Sequence, residues 1–433
     1  MTWQNWAGTA TADPARRHWP RSNEEIADAV KAAAAAGMTV RALGSGHSFT
    51  PAAATAGAAL DLSGWTGIVS ADLASGFVTV RSGTTIRELN AALDTLGLAM
   101  PNLGDIDAQT ISGAISTGTH GTGAGLGGIA TQVAALDLVL ADGSIASCSA
   151  QHRPDLFAAA LVSVGALGVL STVTLRCVPA FRLAADERPM PLAEVLDRFD
   201  EFAAANDHFE FYWFPYGRSA LVKRNNRTSR VDGPPPPMPS WRRFVEYEVM
   251  ENAAFGALCR TGRAVPRLIK PLNRLAATTL SKRSYSAPSH QVFVTPRRVR
   301  FVESEYAVPR EAVLDVLADL RAGVRHLPDP VMFPVEVRVA AADDIWLSTA
   351  YGRDTAYIAI HQYTGLPYQG YFRLFESIAT GVGGRPHWGK MHTRDATYLA
   401  AVYPRFDDFL RVRDETDPER RFANPYLDQI LGL

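Results

Sequence analysis

The chain has 433 residues, more than one ordinary core accommodates and enough for roughly two or three domains. Its apolar share of 47% and charged share of 20% are those of a globular protein, and a formal net charge of -1 gives no overall field that would draw it to nucleic acid. Three scattered cysteines, Cys148, Cys177 and Cys259, provide neither a disulfide framework nor metal-site spacing, which fits a reducing compartment.

The opening stretch MTWQNWAGTATADP lacks the basic start and apolar run of a signal peptide, so the expectation is a cytoplasmic protein. Ser22 and Glu25 have capping-box spacing ahead of an alanine-rich helix that runs to Ala36, with Gly37 as its stop. Residues 38–43 read as a short strand that leads into GSGHS at 44–48. A strand followed by a Gly-Ser-Gly turn offers backbone N–H groups to a diphosphate, and glycine permits close approach. The spacing is neither a GxGxxG fingerprint nor a Walker loop, and alone it is a weak signal. Residues 77–80 read as a strand and 85–96 as a helix that Gly97 ends. This alternation argues for an α+β or α/β sheet domain.

Residues 104–128, GDIDAQTISGAISTGTHGTGAGLGG, are crowded with Gly, Ser and Thr. Loops so rich in backbone donors and small side chains lie against ligands, and with GSGHS they make two walls for a large anionic cofactor. His120 sits in this stretch with no Cys or carboxylate at ligand spacing, which argues against zinc. Residues 133–140 and 169–177 read as strands. Residues 156–175 carry no charge, but a Gly-Ala-Leu-Gly break favours a buried helix, a turn and a buried strand over a membrane span. A domain boundary falls near Pro179.

Residues 180–395 read as a second sheet-containing domain, with a Pro-rich loop at 233–240 and strands near 209–214 and 333–339. The sequon at Asn226 is read as a chance match. Residues 260–300 hold ten Lys or Arg and no acid. The plain reading is a solvated or compensated surface; the sharper one is a docking face for an acidic partner or a membrane. In Glu336-Val337-Arg338 the two charges share one strand face, which suits an ion pair or the binding of a hydroxylated substrate. RPHWGK at 385–390 packs two cations, an aromatic and His387 into six residues, a pattern suited to developing negative charge.

Together these motifs resemble the aldonolactone oxidoreductase branch of the vanillyl-alcohol-oxidase-type flavoproteins, with alditol oxidase as a cousin. The resemblance spans essentially the whole chain. RALGSGHSF is similar to the loop whose His carries an 8α-linked flavin, and NLGDIDAQTISGAISTGTHGTG to the second flavin-binding stretch. GALGV at 165–169 resembles the turn that meets the isoalloxazine, VEVR and HWGK the substrate strand and loop, and FANPYL the C-terminal return. NDHFEFYWFPY at 206–216 looks more like actinobacterial gulonolactone dehydrogenases than alditol oxidases.

The resemblance implies an α+β fold. A two-subdomain FAD-binding domain of the PCMH type would occupy 1–179. A cap domain with a largely antiparallel sheet flanked by helices would occupy 180–395, and 396–433 would return to the FAD domain. It implies FAD bound by Arg41, Ala42, Gly44, Ser45, Gly46, His47, Ser48, Thr110, Gly113, Ser116, Thr117, Gly118, His120 and Val169, with His47 bonded covalently to the flavin. Glu336, Arg338 and Lys390 would be catalytic. Asp105, His361, Tyr363 and His387 would face the substrate, Asp105 standing where relatives often have Ser. Gly104 would gate oxygen. No metal is implied. The implied reaction passes a hydride from a hydroxyl-bearing carbon of an L-gulono-, L-galactono- or D-arabinono-1,4-lactone to flavin N5, and electrons then pass to O2 or another acceptor. An alditol or xylitol oxidase is the second reading, and a nonenzymatic nucleotide-binding scaffold the third. No transmembrane segment is expected; the basic stretch leaves peripheral membrane contact open.

Overall fold

A computed structural model describes residues 2–228 and 235–433, so the Pro-rich stretch falls partly outside the described residues. Near the N-terminus, strands Arg16–His18, Ala58–Asp61 and Val40–Leu43 form a parallel three-stranded sheet with Ala58–Asp61 in the middle. Helix Asn23–Ala35 covers it with Ile26, Ala27, Val30 and Ala33. Ser22 caps that helix by accepting the Glu25 N–H, and Gly37 follows with φ 65°.

A second, antiparallel sheet has the order Ile145–Ser149, Val133–Val139, Val169–Arg176, Phe77–Arg81, Ile68–Asp72. Helix Ile86–Thr95 packs on it behind a reciprocal Thr85/Glu88 capping box. The uncharged stretch resolves into helix Pro154–Ala160 and strand Val169–Arg176, joined by a turn in which Val164, Gly165 and Gly168 have φ of 51°, 68° and 157°. Among the described residues no helix is long and apolar enough to cross a membrane.

Residues from Arg182 to Pro386 build an eight-stranded sheet whose neighbours pair antiparallel. Its central strands alternate with period two. Phe209, Phe211, Val335, Val337, Val339, Ile358 and Ile360 face helices Val313–Val324 and Gln369–Gly381 and form one apolar core. The other face carries Glu210, Tyr212, Glu303, Glu305, Glu336, Arg338 and His361, all buried. Both faces are thus covered, one by hydrocarbon and one by ion pairs.

The last helices, Ala396–Val402, Phe406–Thr416 and Pro425–Leu431, place Leu399, Tyr403, Phe409, Leu427 and Ile430 in the core that also holds Val78, Leu89, Ile111 and Ile115. Trp388, fully buried, joins that core.

Candidate active site

Strand Val40–Leu43 delivers the chain into Gly44–Ser48, and Thr110 caps the short helix Ile111–Ser116 opposite. Between them lies a cleft of about 920 Å³, lined by Ala42, Gly44, Ser45, Gly46, His47, Ser48, Thr110, Gly113, Ser116 and Thr117. Val164, Gly165 and Gly168 of the turn and Phe422 of the C-terminal segment complete the wall. A β-carbon on Gly44 would stand 2.7 Å from Thr110 Oγ1, so glycine here keeps two backbone edges close.

Arg41 is placed differently from its neighbours. Its guanidinium donates to the carbonyls of Val164 at 2.7 Å, and of Gly165 and Phe422 at 2.8 Å, fastening turn and tail together; burial pulls its pKa down to about 10. Val164 carries a β-branched side chain at positive φ, a costly conformation that this clasp helps hold. Val169 sits in the core beside helix Asn23–Ala35, while its neighbours Gly168 and Leu170 line the cleft. Gly118, at φ 74°, turns the chain next to Val162 and Trp388.

His47 stands where this cleft meets a second one, and lines both with Ser48, Gln109 and Thr117. Trp6 stacks on its ring at 5.8 Å and 24°, and the Trp6 N–H donates to Gly46 O at 2.8 Å. Burial, then the nearby Lys390 cation, lowers the His47 pKa and keeps the imidazole neutral.

The second cleft also receives Gly104, Asp105, Thr119, His120, Glu305, Arg338, His387 and Lys390. Arg338 Nε donates to Glu210 at 2.9 Å, and its Nη2 reaches Glu336 and, at 3.6 Å, Asp105. Arg297 clamps Asp105 at 2.7 Å. Burial works against the Arg338 charge, but Glu336, Glu210 and Asp105 outweigh it and raise its pKa. Lys390 pairs with Glu303 at 2.5 Å. His361 lies 3.4 Å from Glu303 and 4.0 Å from Glu336, and its Nδ1 meets the carbonyl of Pro334. Burial raises the Glu336 pKa, and Tyr212 donates to this carboxylate at 2.9 Å. Tyr363 lies two residues past His361, its ring stacked on Phe333 at 6.4 Å within an apolar cluster.

His120 has a carboxylate partner that its place in the sequence does not show. Glu305, 185 residues away, bonds its Nε2 at 2.7 Å, and His387 completes a trio whose ligand atoms lie within 4.8 Å of one another. The trio is nonetheless closed upon itself. His120 Nδ1 meets Gly121 O at 2.9 Å, so both ring nitrogens already have partners within the protein. His387 Nδ1 accepts the Gly389 N–H at 3.1 Å, and burial lowers its pKa to about 3.

Glu210, Tyr212, Arg297, Glu303 and Glu305 belong to this network and are missing from the sequence-based set. The strand FVESEY held a readable signal, since Glu303 and Glu305 share one face just as Glu336 and Arg338 do. Arg297, in a loop, left none.

Residues 173–430 match the profile of the D-arabinono-1,4-lactone oxidase family, and residues 14–149 that of an FAD-binding domain. The chain belongs to the D-arabinono-1,4-lactone oxidase family. Proteins similar to it include the L-gulono-1,4-lactone dehydrogenase of Mycobacterium tuberculosis, 44% identical over 430 residues that cover 99% of each chain. The L-gulonolactone oxidase of Mus musculus is 34% identical over 100% of this chain and 98% of its own. An alditol oxidase from Streptomyces is 32% identical over 99% and 98%. Two cholesterol oxidases share the fold, with TM-scores of 0.81 and 0.83 at 21% and 17% identity; they cover 100% and 99% of this chain and 97% and 96% of their own.

As a D-arabinono-1,4-lactone oxidase family member, the chain is an FAD-dependent oxidoreductase with a PCMH-type flavin domain. The residues present fit that cofactor: a long cleft with bare glycine edges for a diphosphate, opening beside His47 onto a charged chamber.

Proposed function

We propose that this chain oxidises a hydroxyl-bearing carbon of a sugar 1,4-lactone, of the L-gulono-, L-galactono- or D-arabinono- type, in the chamber between His47 and the charged sheet face. The relatives' names supply the substrate class. One observation carries the reading: two cations, the buried Arg338 and the half-buried Lys390, flank a chamber that borders His47 and is lined by Asp105 and Glu305. Such a chamber binds a polyhydroxylated neutral molecule by many oriented hydrogen bonds.

When bound, FAD supplies the two-electron acceptor. The chain's own groups do the rest. Arg338 and Lys390 stabilise negative charge as it grows on the substrate oxygen. Glu336, raised by burial and fixed by Tyr212, is the group proposed to take the hydroxyl proton. Asp105, tied to Arg297, positions the far end of the sugar. His47, neutral and braced by Trp6, is proposed as the covalent anchor of the flavin. Electrons then leave to O2 or to another acceptor.

Anaerobic stopped-flow reduction with a panel of aldonolactones and alditols tests this. Lactones should bleach the flavin faster than alditols at equal concentration. The opposite order would make the protein an alditol oxidase, and a colourless purified protein would sink the enzymatic reading.

A further inference from the structure

A further cavity opens on the helix-covered face of the eight-stranded sheet, and the chemistry above does not use it. One wall is helix Leu192–Asp197, through Leu192 and Leu196. The other is helix Val313–Val324, through Leu317 and Ala318. The floor is Phe211 and Trp213 of strand His208–Trp213. The space measures about 710 Å³, in the range of sites that hold small organic molecules.

The lining is apolar except for two cations. Arg321 and Arg325 stand one helical turn apart, so both project over the same hollow. Among the described residues, no carboxylate lines the space and neither guanidinium has one within ion-pair distance. Glu194, on the facing helix, is held by Arg198. Asp319 precedes Arg321 by two residues and so projects from nearly the opposite side of their helix. Arginines late in a helix also answer its dipole. That accounts for their sign, but not for the hydrocarbon hollow beneath them.

We infer that this cavity is a second binding site, for a small hydrophobic carboxylic acid whose apolar body lies on Phe211 and Trp213 and whose carboxylate meets Arg321 and Arg325. Guanidinium forks match a carboxylate with paired, charge-assisted hydrogen bonds. The walls take the apolar part by excluding water from it. A sugar lactone would bring hydroxyls for which these walls hold no partner, so the substrate class proposed above does not fit here. The two sites stand back to back on one strand. Tyr212, between Phe211 and Trp213, points to the opposite face and donates to Glu336 at 2.9 Å. A ligand in the hollow and a substrate in the chamber therefore do not compete for space.

Calorimetric titration of the flavin-loaded full chain with octanoate should show one site, and octanol should bind there about tenfold more weakly. The double variant Arg321→Glu/Arg325→Glu should weaken octanoate about tenfold or more. Ala318→Phe, which fills the space, should do the same. Both should keep the flavin absorbance and melting temperature of the parent, because Ala318 and Arg325 are exposed and Arg321 is half-buried. Lys390→Ala, in the chamber, should bind octanoate like the parent. No binding of octanoate, octanol bound as tightly, or hollow variants that bind like the parent would each overturn the inference. Loss of octanoate binding in Lys390→Ala would place the acid in the chamber instead and overturn it too. So would a dimer in gel filtration that Ala318→Phe dissolves, since a second copy of the chain would then fill the hollow.

Discussion

At His47 a side chain must be both neutral and aimed. Burial and Lys390 supply the first condition, Trp6 the second. Acid precipitation of the native protein should therefore leave the yellow colour in the pellet, and His47→Ala should release it while still binding some FAD. If flavin from the native protein passes wholly to the supernatant, the covalent bond does not exist. For Arg338 and Lys390 the expectation concerns rate. Losing one preorganised charge costs roughly 2.7–4 kcal/mol of transition-state stabilisation, so Arg338→Ala and Lys390→Ala should slow anaerobic reduction about a hundredfold or more. An effect confined to KM would show that these cations bind ground and transition states alike. Gly104 borders the same chamber without a left-handed backbone, so conformation does not demand glycine there. An added β-carbon would sit 3.2 Å from Thr119 Cγ2 and 3.3 Å from His120 O, tight but within reach of a small shift. Gly104→Ala should slow reoxidation in air and leave anaerobic reduction nearly unchanged. The premise is that substrate-reduced native enzyme reoxidises readily in aerated buffer with release of hydrogen peroxide. Persistence of the reduced state for minutes there would refute the oxygen-gate role.

Among the elements, HWGK shows how a loop becomes rigid. Trp388 is fully buried, donates to Leu347 O at 2.7 Å and stacks on Tyr403 at 5.0 Å. Its carbonyl accepts from Tyr426 at 2.9 Å, and the next carbonyl, Gly389 O, accepts the Phe49 N–H at 2.7 Å. Lys390 thus hangs from a loop tied to the His47 loop and to the tail. Trp388→Ala should cost about 3–5 kcal/mol of stability in chemical denaturation, as for other buried aromatic truncations. The sequence made much of this level legible. The Ser22/Glu25 spacing placed the helix that begins at Asn23, the stretch read as a helix over 85–96 with Gly97 as its stop is helix Ile86–Thr95, and the glycine break split the 156–175 stretch into helix, turn and strand. What it hid has a physical cause. The alternation in HFEFYW and FVESEY reads ordinarily as one wet face and one dry face. Here the polar face is buried against the stretch that carries Asp105 and His120, and only tertiary structure reveals that Glu210, Glu303 and Glu305 are interior charges. His120 looked isolated because its partner lies across 185 residues of chain.

For the molecule as a whole, the buried charges set its response to acid. Burial alone would raise Asp105, Glu303 and Glu305; the cations Arg297 and Arg338, Lys390, and His120 respectively outweigh it and hold all three low. A carboxylate lower in the folded than in the unfolded chain lends stability above its ordinary value, about 4, and withdraws it as pH falls through the folded value. Glu336, raised by burial, acts in the opposite sense and offsets part of this loss. Glu210 and Glu376 are also held low, and Asp343 and Asp417 are also raised; with five lowered against three raised, the melting temperature should fall below about pH 4. Glu305→Gln should make that acid limb shallower in a pH series of thermal melts; an unchanged limb would mean that the buried pairs do not govern acid stability.

The clasp that closes the flavin cleft also fixes when the cleft can exist. Val40 N–H donates to Arg421 O at 2.7 Å, Arg41 grips Phe422 O, and Asn424 donates to the carbonyls of Pro51, Ala52 and Ala54. The first wall of the site is thus finished by residues from far along the chain, Phe422 lying 381 positions beyond Arg41. A nascent chain can fold its early strands but lacks the lock that holds Arg41 and the strained turn at Val164. Cofactor capture then awaits the synthesis of residues 421–424, because the cleft is not closed without them. A chain ended before Asp417 should emerge colourless, however well its remaining helices form.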